Sequence, residues 1–480
     1  MRLSDLTGAT AEAVRSAGAI VTDMFEPTVR LGVTGLARSG KTVFITALVR
    51  CLTEGGADPA LTRLAGIPGF RAYLEPQPDD TLPRFSYEAH LACLAADPPR
   101  WPESTRRISQ LRLTLEWDGD DITRKALGLK RRVHIDILDY PGEWLVDLGL
   151  IEQSFAEWSK EAIEAARAPR RAATAAPWLS FLATLDPAAP ADEQVAIQGA
   201  SLFTDYLRQL RRDDTSLPIL GPGRFLMPGD LENSPLLTFF PVSNSDSQPH
   251  GSLARLLERR FESYKSRVAM PFFRDHFSRL DRQIVLIDIL SGLEGGAEAL
   301  MELEYTLDRV LAAFRLGSGS WLARVFGHRI DRIAFAASKA DHLNRNSHDR
   351  LAAVLEKAVT QAGRRGDAAG AQRGFFALAA LRATEDVETR RGEDVYPSIR
   401  GRPQAGERLD GRSFDGAKLA VVFPGDLPSD PLDAFEAGKL APDAHRFVRF
   451  SPPRVADPRS PWPHIGLDRA IGFLLGDHLP

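Results

Sequence analysis

Gly35-Leu36-Ala37-Arg38-Ser39-Gly40-Lys41-Thr42 satisfies the pattern GxxxxGK[ST] at every position. An apolar strand, read from Val29, Leu31 and Val33 and ending at Gly35, precedes it. A helix from about Lys41 to Cys51 follows. That strand–loop–helix context separates a phosphate loop (P-loop) from a chance glycine-rich turn. The glycines let backbone N–H groups curl around phosphate oxygens, and the helix N-terminus adds positive potential. Gly35, Arg38, Ser39, Gly40 and Val43 are therefore expected to line a nucleotide. Lys41 is expected to reach the β- and γ-phosphates and stabilise transferred charge, and Thr42 to offer its hydroxyl to Mg2+. Arg38 is either a cis arginine finger or a solvated side chain.

A second motif stands downstream. Val133, Ile135, Ile137 and Leu138 mark a strand that ends in Asp139-Tyr140-Pro141-Gly142, a DxxG sequence. An acidic residue at the tip of a strand beside the phosphate-loop strand can hold the Mg2+ water shell, which assigns Asp139. Gly142 has no side chain, so its N–H can approach a γ-phosphate, and loss of that phosphate would release the loop. Asp136 alternates with Ile135 and Ile137 and is read as facing the other side of the sheet. Glu143 follows Gly142 directly and either orients the attacking water or faces solvent. A threonine that closes on Mg2+ is sought between the two motifs. Thr105 is the first choice and Ser104 the second, at the end of Trp101-Pro102-Glu103-Ser104-Thr105; an ordinary turn before the next strand fits the same residues.

Ser338-Lys339-Ala340-Asp341 follows a strand over Ile333 to Ala337 and is close to the guanine motif [NT]KxD. A carboxylate only accepts hydrogen bonds, so Asp341 can pair with guanine N1–H and its 2-amino group but not with the edge of adenine. The stem of Lys339 can lie over the ring. Ser338 stands where Asn or Thr is usual, which keeps ATP as an alternative to GTP. Ala380 and Leu381, at the end of the strand that starts at Phe375, are placed to present a backbone N–H to guanine O6.

The alternation of strands and helices predicts an α/β fold with a mostly parallel sheet covered on both faces. The 480 residues exceed what one core normally supports, so insertions are expected. The division read from the sequence is an N-terminal helix over 1–28, a first part of the core over 29–166, and a mainly helical insertion over 167–279. A second part of the core follows over 280–390, then an irregular insertion over 391–460 rich in Gly, Pro and Arg. A C-terminal helix over 461–480 closes the sheet. Periodic Leu148, Ile151, Phe155 and Trp158 predict one long helix from Trp144 to about Ala166.

Composition narrows the function classes. Hydrophobic residues make up 44% and charged residues 26%, as in ordinary globular proteins. A formal net charge of -4 gives no long-range attraction to nucleic acid or anionic lipid, so no nucleic-acid partner is expected. The two cysteines, Cys51 and Cys93, cannot build a disulfide framework and point to a reducing compartment. No apolar run is long enough to span a bilayer. Val14, Ala17, Val21 and Met24 fall at helical spacing, but the polar face is poor in Lys and Arg, and this helix is expected to pack on the protein. Peripheral membrane contact stays open. HExxH, GxSxG, paired CxxC and clustered histidines are all absent from the sequence.

With these residues in hand, the chain resembles the YcjX-like family of bacterial stress-associated P-loop proteins. The resemblance rests on Gly35 to Thr46, on Asp139-Tyr140-Pro141-Gly142-Glu143-Trp144-Leu145, and on Arg282-Gln283-Ile284-Val285-Leu286-Ile287-Asp288. It extends over nearly the whole length. It implies a Ras-like nucleotide-binding core with a helical insertion, Mg2+ dependence, a cytoplasmic setting and a link to heat or envelope stress, with a protein effector still unknown. The expected function is binding and hydrolysis of GTP. A stress ATPase and a nucleotide-gated scaffold with little turnover are the alternatives.

Overall fold

The computed structural model describes residues 26–35, 38–54, 66–103, 107–118, 130–213, 221–246, 248–315, 330–363, 371–409, 411–436, 445–455 and 460–479. Thr105, Ser104 and nearly all of the expected N-terminal helix lie outside these residues. Strands β1 (Thr28–Gly35), β2 (Arg71–Glu75), β3 (Ser109–Asp118), β4 (Lys130–Asp139), β5 (Arg282–Ile287), β6 (Arg332–Ala337) and β7 (Gln372–Ala377) form one sheet, in the order β2-β3-β4-β1-β5-β6-β7. From β4 to β7 all neighbours run parallel. β3 is antiparallel to β4, and β2 to β3. β1 therefore lies at the centre, with Val33 paired to Asp139 of β4 and Gly35 to Leu286 of β5. That register brings the ends of β1, β4 and β5 to the same edge.

Helices cover both faces, and the apolar residues sort accordingly. On one face, α1 (Lys41–Thr53) packs against β1, β2 and β4 and the C-terminal helix against β6 and β7, joining Phe44, Leu48, Leu31, Leu113, Ile471 and Leu474 in one core. α1 is buried on nearly every side, as befits a helix wedged between sheet and neighbours. Cys51 is part of this core, as expected of a small apolar residue. α2 (Tyr87–Ala95) lies beside α1.

The single long helix expected from Trp144 to Ala166 is two helices. α3 (Glu143–Leu150) stops, and α4 (Phe155–Ala166) restarts on Ser154 with a full capping box to Glu157. The reciprocal Ser154–Glu157 bonds satisfy donors that only a helix start leaves open, so the break is written locally. α5 (Pro169–Ala183), α6 (Glu193–Asp213), the short α7 (Gly223–Leu226) and α8 (Leu253–Tyr264) follow. These helices have their own aromatic core, in which Trp158 stacks on Phe261 (5.1 Å, 18°) and meets Phe203 and Phe239 edge-on. α9 (Met270–Asp275) returns the chain to the sheet.

On the second face, α10 (Ile289–Glu294), α11 (Gly296–Arg315) and α12 (His348–Gly363) cover β5, β6 and β7 through Leu300, Leu307, Val354 and Leu355. β5 ends at Ile287, because Asp288 caps α10 by accepting from the Ser291 N–H. β7 likewise ends at Ala377, short of Leu381. The region expected to be irregular over 391–460 holds regular structure instead. β8 (Thr384–Arg391), β9 (Asp394–Gly401) and β12 (Ala420–Val422) form a small antiparallel sheet, and β10 (Arg408–Leu409) pairs with β11 (Arg412–Ser413). Its composition hides the alternation that marks strands. α13 (Leu467–Leu475) is the expected C-terminal helix.

Candidate functional site

β1 ends at Gly35, and α1 begins at Lys41 on Gly40, which sits in the left-handed region at φ 88°. Gly35 admits no side chain, since a Cβ would fall on the Ser39 hydroxyl and the Leu286 carbonyl. The loop thus packs directly on β5. Lys41 is buried, and its Nζ donates to the Gly35 carbonyl at 2.8 Å, so the ammonium lies inside the loop it belongs to. The Ser39 hydroxyl is buried and has no hydrogen-bond partner among the described residues. Thr42 donates weakly to the Glu103 carbonyl (3.5 Å), which brings the segment before β3 across the start of α1.

A cavity of about 350 Å3 opens beside this loop. Arg38, Ser39, Gly40, Lys41, Thr42 and Val43 line one end. Ser338, Lys339, Asp341, Ala380 and Leu381 line the other. Two motifs some 300 residues apart in sequence meet here because β1 and β6 both flank β5. Glu143, at the first turn of α3, also faces the cavity and is buried rather than turned to solvent. Asp139 is the buried last residue of β4, paired with Val33, and Gly142 caps α3. Asp136 is engaged elsewhere, in a two-pronged pair with Arg112 (2.7 and 2.9 Å).

The base end is fixed by several short contacts. Lys339 adopts φ 62° and pairs with Asp288 at 2.5 Å. Burial works against ionisation of Asp288, but the Lys339 ammonium outweighs it and holds that carboxyl below its ordinary value. Asp341 is buried; one carboxylate oxygen accepts from the Ala383 N–H (2.9 Å), and its carbonyl accepts from the Thr384 hydroxyl. The Ser338 hydroxyl turns toward the Ile287 carbonyl (3.3 Å). The Ala380 carbonyl accepts from the Trp462 indole (2.7 Å). Thr42 lines the cavity and Asp139 lies at the end of β4 behind that lining; both are hard oxygen donors of the kind Mg2+ takes. Among the described residues there is no group of three or more His, Cys, Asp or Glu side chains that could hold a metal ion by itself.

Other residues line the cavity without any linear signal. Trp101 and Pro102 come from the segment before β3, Met227 from the helical region, and Gln404, Arg449 and Phe450 from the region after β9. His342 directly follows Asp341 and is the one that motif adjacency could have found.

The profile of the YcjX-like family, DUF463, matches residues 29–479. The chain belongs to the YcjX-like family. It is 35% identical over 462 residues to the Ras-like GTPase YcjX of Escherichia coli (strain K12), covering 94% of this chain and 96% of that protein. It is 32% identical over 477 residues to the Ras-like GTPase YcjX of Shewanella oneidensis, covering 94% of each. Among the described residues no helix is long and apolar enough to cross a membrane.

Proposed function

We propose that this chain binds GTP with Mg2+ in the cavity between the phosphate loop and Asp341, and hydrolyses it on a Ras-like core that carries a helical insertion. The observation that carries the reading is the single cavity that joins Lys41 and Thr42 to Lys339 and Asp341. The sheet order around β1, with β3 antiparallel at one side and parallel strands at the other, suits such a core. The names of the relatives agree with it.

In this reading Lys41 leaves the Gly35 carbonyl for the β- and γ-phosphates, and the Ser39 hydroxyl gains a phosphate partner. Thr42 and Asp139 would hold Mg2+, with Thr105 as a further candidate ligand; the ion supplies charge neutralisation on the phosphate oxygens. The backbone N–H of Gly142 faces the γ-phosphate and ties α3 to its presence. Glu143 orients the attacking water from the cavity wall. Asp341 accepts from guanine N1–H and the 2-amino group, Lys339 covers the ring, and backbone groups at Ala380 and Leu381 meet O6.

The test exchanges the carboxylate. Xanthine carries a carbonyl oxygen where guanine has its 2-amino group, so Asp341→Asn can donate to that oxygen and still accept from N1–H. Unpaired buried polar groups cost about 1–3 kcal/mol each, so the GTP-to-XTP affinity ratio should move about tenfold or more toward XTP. Competition of GTP, XTP and ATP against a fluorescent nucleotide reads this. A wild-type preference for ATP, or an unchanged order in the variant, rejects the guanine assignment.

A further inference from the structure

The nucleoside end of the cavity has a second wall that none of the nucleotide motifs supplies. After β9 the chain pairs with the segment that follows β12. Gln404 donates its N–H to the Arg449 carbonyl and Ser451 to the Arg402 carbonyl, both at 2.8 Å, with Pro403 and Phe450 bridged between them. Phe450 is the centre of this ladder. Its carbonyl accepts from the Trp101 indole (2.8 Å) and from the Gln404 amide (3.1 Å). Its ring stands edge-on to His342, centroids 5.5 Å apart at 87°. A Cβ on Gly401 would come to 2.6 Å from that ring, so the ring is seated against bare backbone. Ile399, Val422 and Val448 pack around it, which anchors the ladder in the small sheet.

Trp101, His342 and Phe450 all border the cavity that also holds Lys339 and Asp341. Aromatic faces beside a site that takes a planar base contribute stacking that does not depend on which base it is. The indole N–H is already taken by the Phe450 carbonyl, so Trp101 can offer only its face and edge to a ligand. We infer that the paired segments 402–404 and 449–451 form the second wall of the nucleotide site, and that they hold Trp101 and His342 against the purine base. The wall makes the small antiparallel sheet part of the binding site. It rests on the reading that a purine nucleoside triphosphate occupies the cavity, and it does not depend on the base being guanine.

Two variants test it by calorimetry with Mg2+. Phe450→Leu keeps an apolar side chain on Ile399, Val422 and Val448 but removes the ring behind His342. Trp101→Leu removes the indole face and leaves the ladder itself intact. The probes are GTP, ATP and inorganic triphosphate, the last of which meets only the phosphate-loop end. Loss of a stacking surface corresponds to about a tenfold weaker affinity for the nucleotide. We expect that loss for GTP in both variants, with inorganic triphosphate bound as in the wild type and thermal unfolding still cooperative. Unchanged GTP affinity in Trp101→Leu overturns the proposal, and so does an equal loss for GTP and inorganic triphosphate. If the wild type binds ATP in place of GTP, the guanine assignment fails; an ATP loss confined to the nucleoside then supports the wall, and an ATP affinity unmoved by either variant overturns it.

Discussion

Lys41 is a buried cation whose ammonium donates to a carbonyl of its own loop. A carbonyl is a weaker partner for an ammonium than a phosphate oxygen, so the energetic gain on binding comes from exchanging one for the other. Charge-assisted contacts contribute roughly 1.5–3 kcal/mol each, so Lys41→Ala should weaken GTP binding at least about tenfold with the fold retained. An unchanged affinity by calorimetry would remove the phosphate loop from the binding site. Glu143 is a second residue whose surroundings make a sharp expectation. It is buried at the cavity wall, so Glu143→Gln preserves shape while replacing one carboxyl oxygen with an amide nitrogen that cannot accept a proton from water. Turnover should fall about a hundredfold or more, the low end for a positioned acid–base group, while nucleotide affinity stays near wild type. Single-turnover rates equal to the wild type would make Glu143 a packing residue.

Element boundaries show what linear patterning carries and what it misses. The phosphate loop was legible because all of its parts lie within eight consecutive residues between a strand and a helix. The break between α3 and α4 was missed because Leu148, Ile151, Phe155 and Trp158 keep helical spacing straight through it. The local signal was Ser154-Phe155-Ala156-Glu157, a capping-box sequence that outweighs apolar periodicity at a helix start. The second wall of the cavity had no linear signal, since Trp101 and Phe450 are 349 residues apart. α3 also carries Asp147, which apolar patterning passes over. Its carboxylate is buried, accepting from the Gly223 N–H (2.6 Å) and the Tyr264 hydroxyl (2.7 Å). Burial pushes its pKa up to about 7, against the lowering effect of those two bonds. The folded state therefore holds this proton more tightly than the unfolded chain does. The resulting stability is full below the unfolded value of 3.8 and is lost as pH rises through about 7. Asp147→Asn does not titrate: its amide oxygen can still accept from the Gly223 N–H, and its amide N–H can donate to the Tyr264 oxygen, which reverses that bond. Relative to that variant, the wild type should lose about 2–4 kcal/mol between pH 4.5 and 8, read from urea midpoints. Parallel pH profiles for the two proteins would show that Asp147 titrates normally.

At the scale of the molecule, the helical region meets the core at α11, where Arg170 and Arg171 lie beside Glu302, and at α3. The Gly223 N–H binds Asp147, the Arg224 guanidinium lies 3.5 Å from the centre of the Trp144 ring, and Met227 reaches the cavity. Gly223 itself packs on the backbone at Glu143, where a Cβ would fall on the Glu143 carbonyl. So the residue proposed to orient water is held from behind by a glycine of the helical region. Gly223→Ala has no room to be accommodated in place. Either α7 moves away and Asp147 loses a donor, or α3 shifts and carries Glu143 with it. Overpacking of this kind costs typically about 1–3 kcal/mol. The phosphate loop and the base end lie on other elements and should keep their geometry. The expected result is lower thermal stability and a reduced rate of GTP hydrolysis, with GTP affinity within a few fold of wild type. Double variants with Glu143→Gln separate the causes. If Gly223 acts through Glu143, the two losses of rate will not add, because neighbouring residues in one network share their effect. Additive losses would mean that the helical region influences hydrolysis by a route other than Glu143, and an unchanged rate in Gly223→Ala alone would show that α3 is not held by this contact.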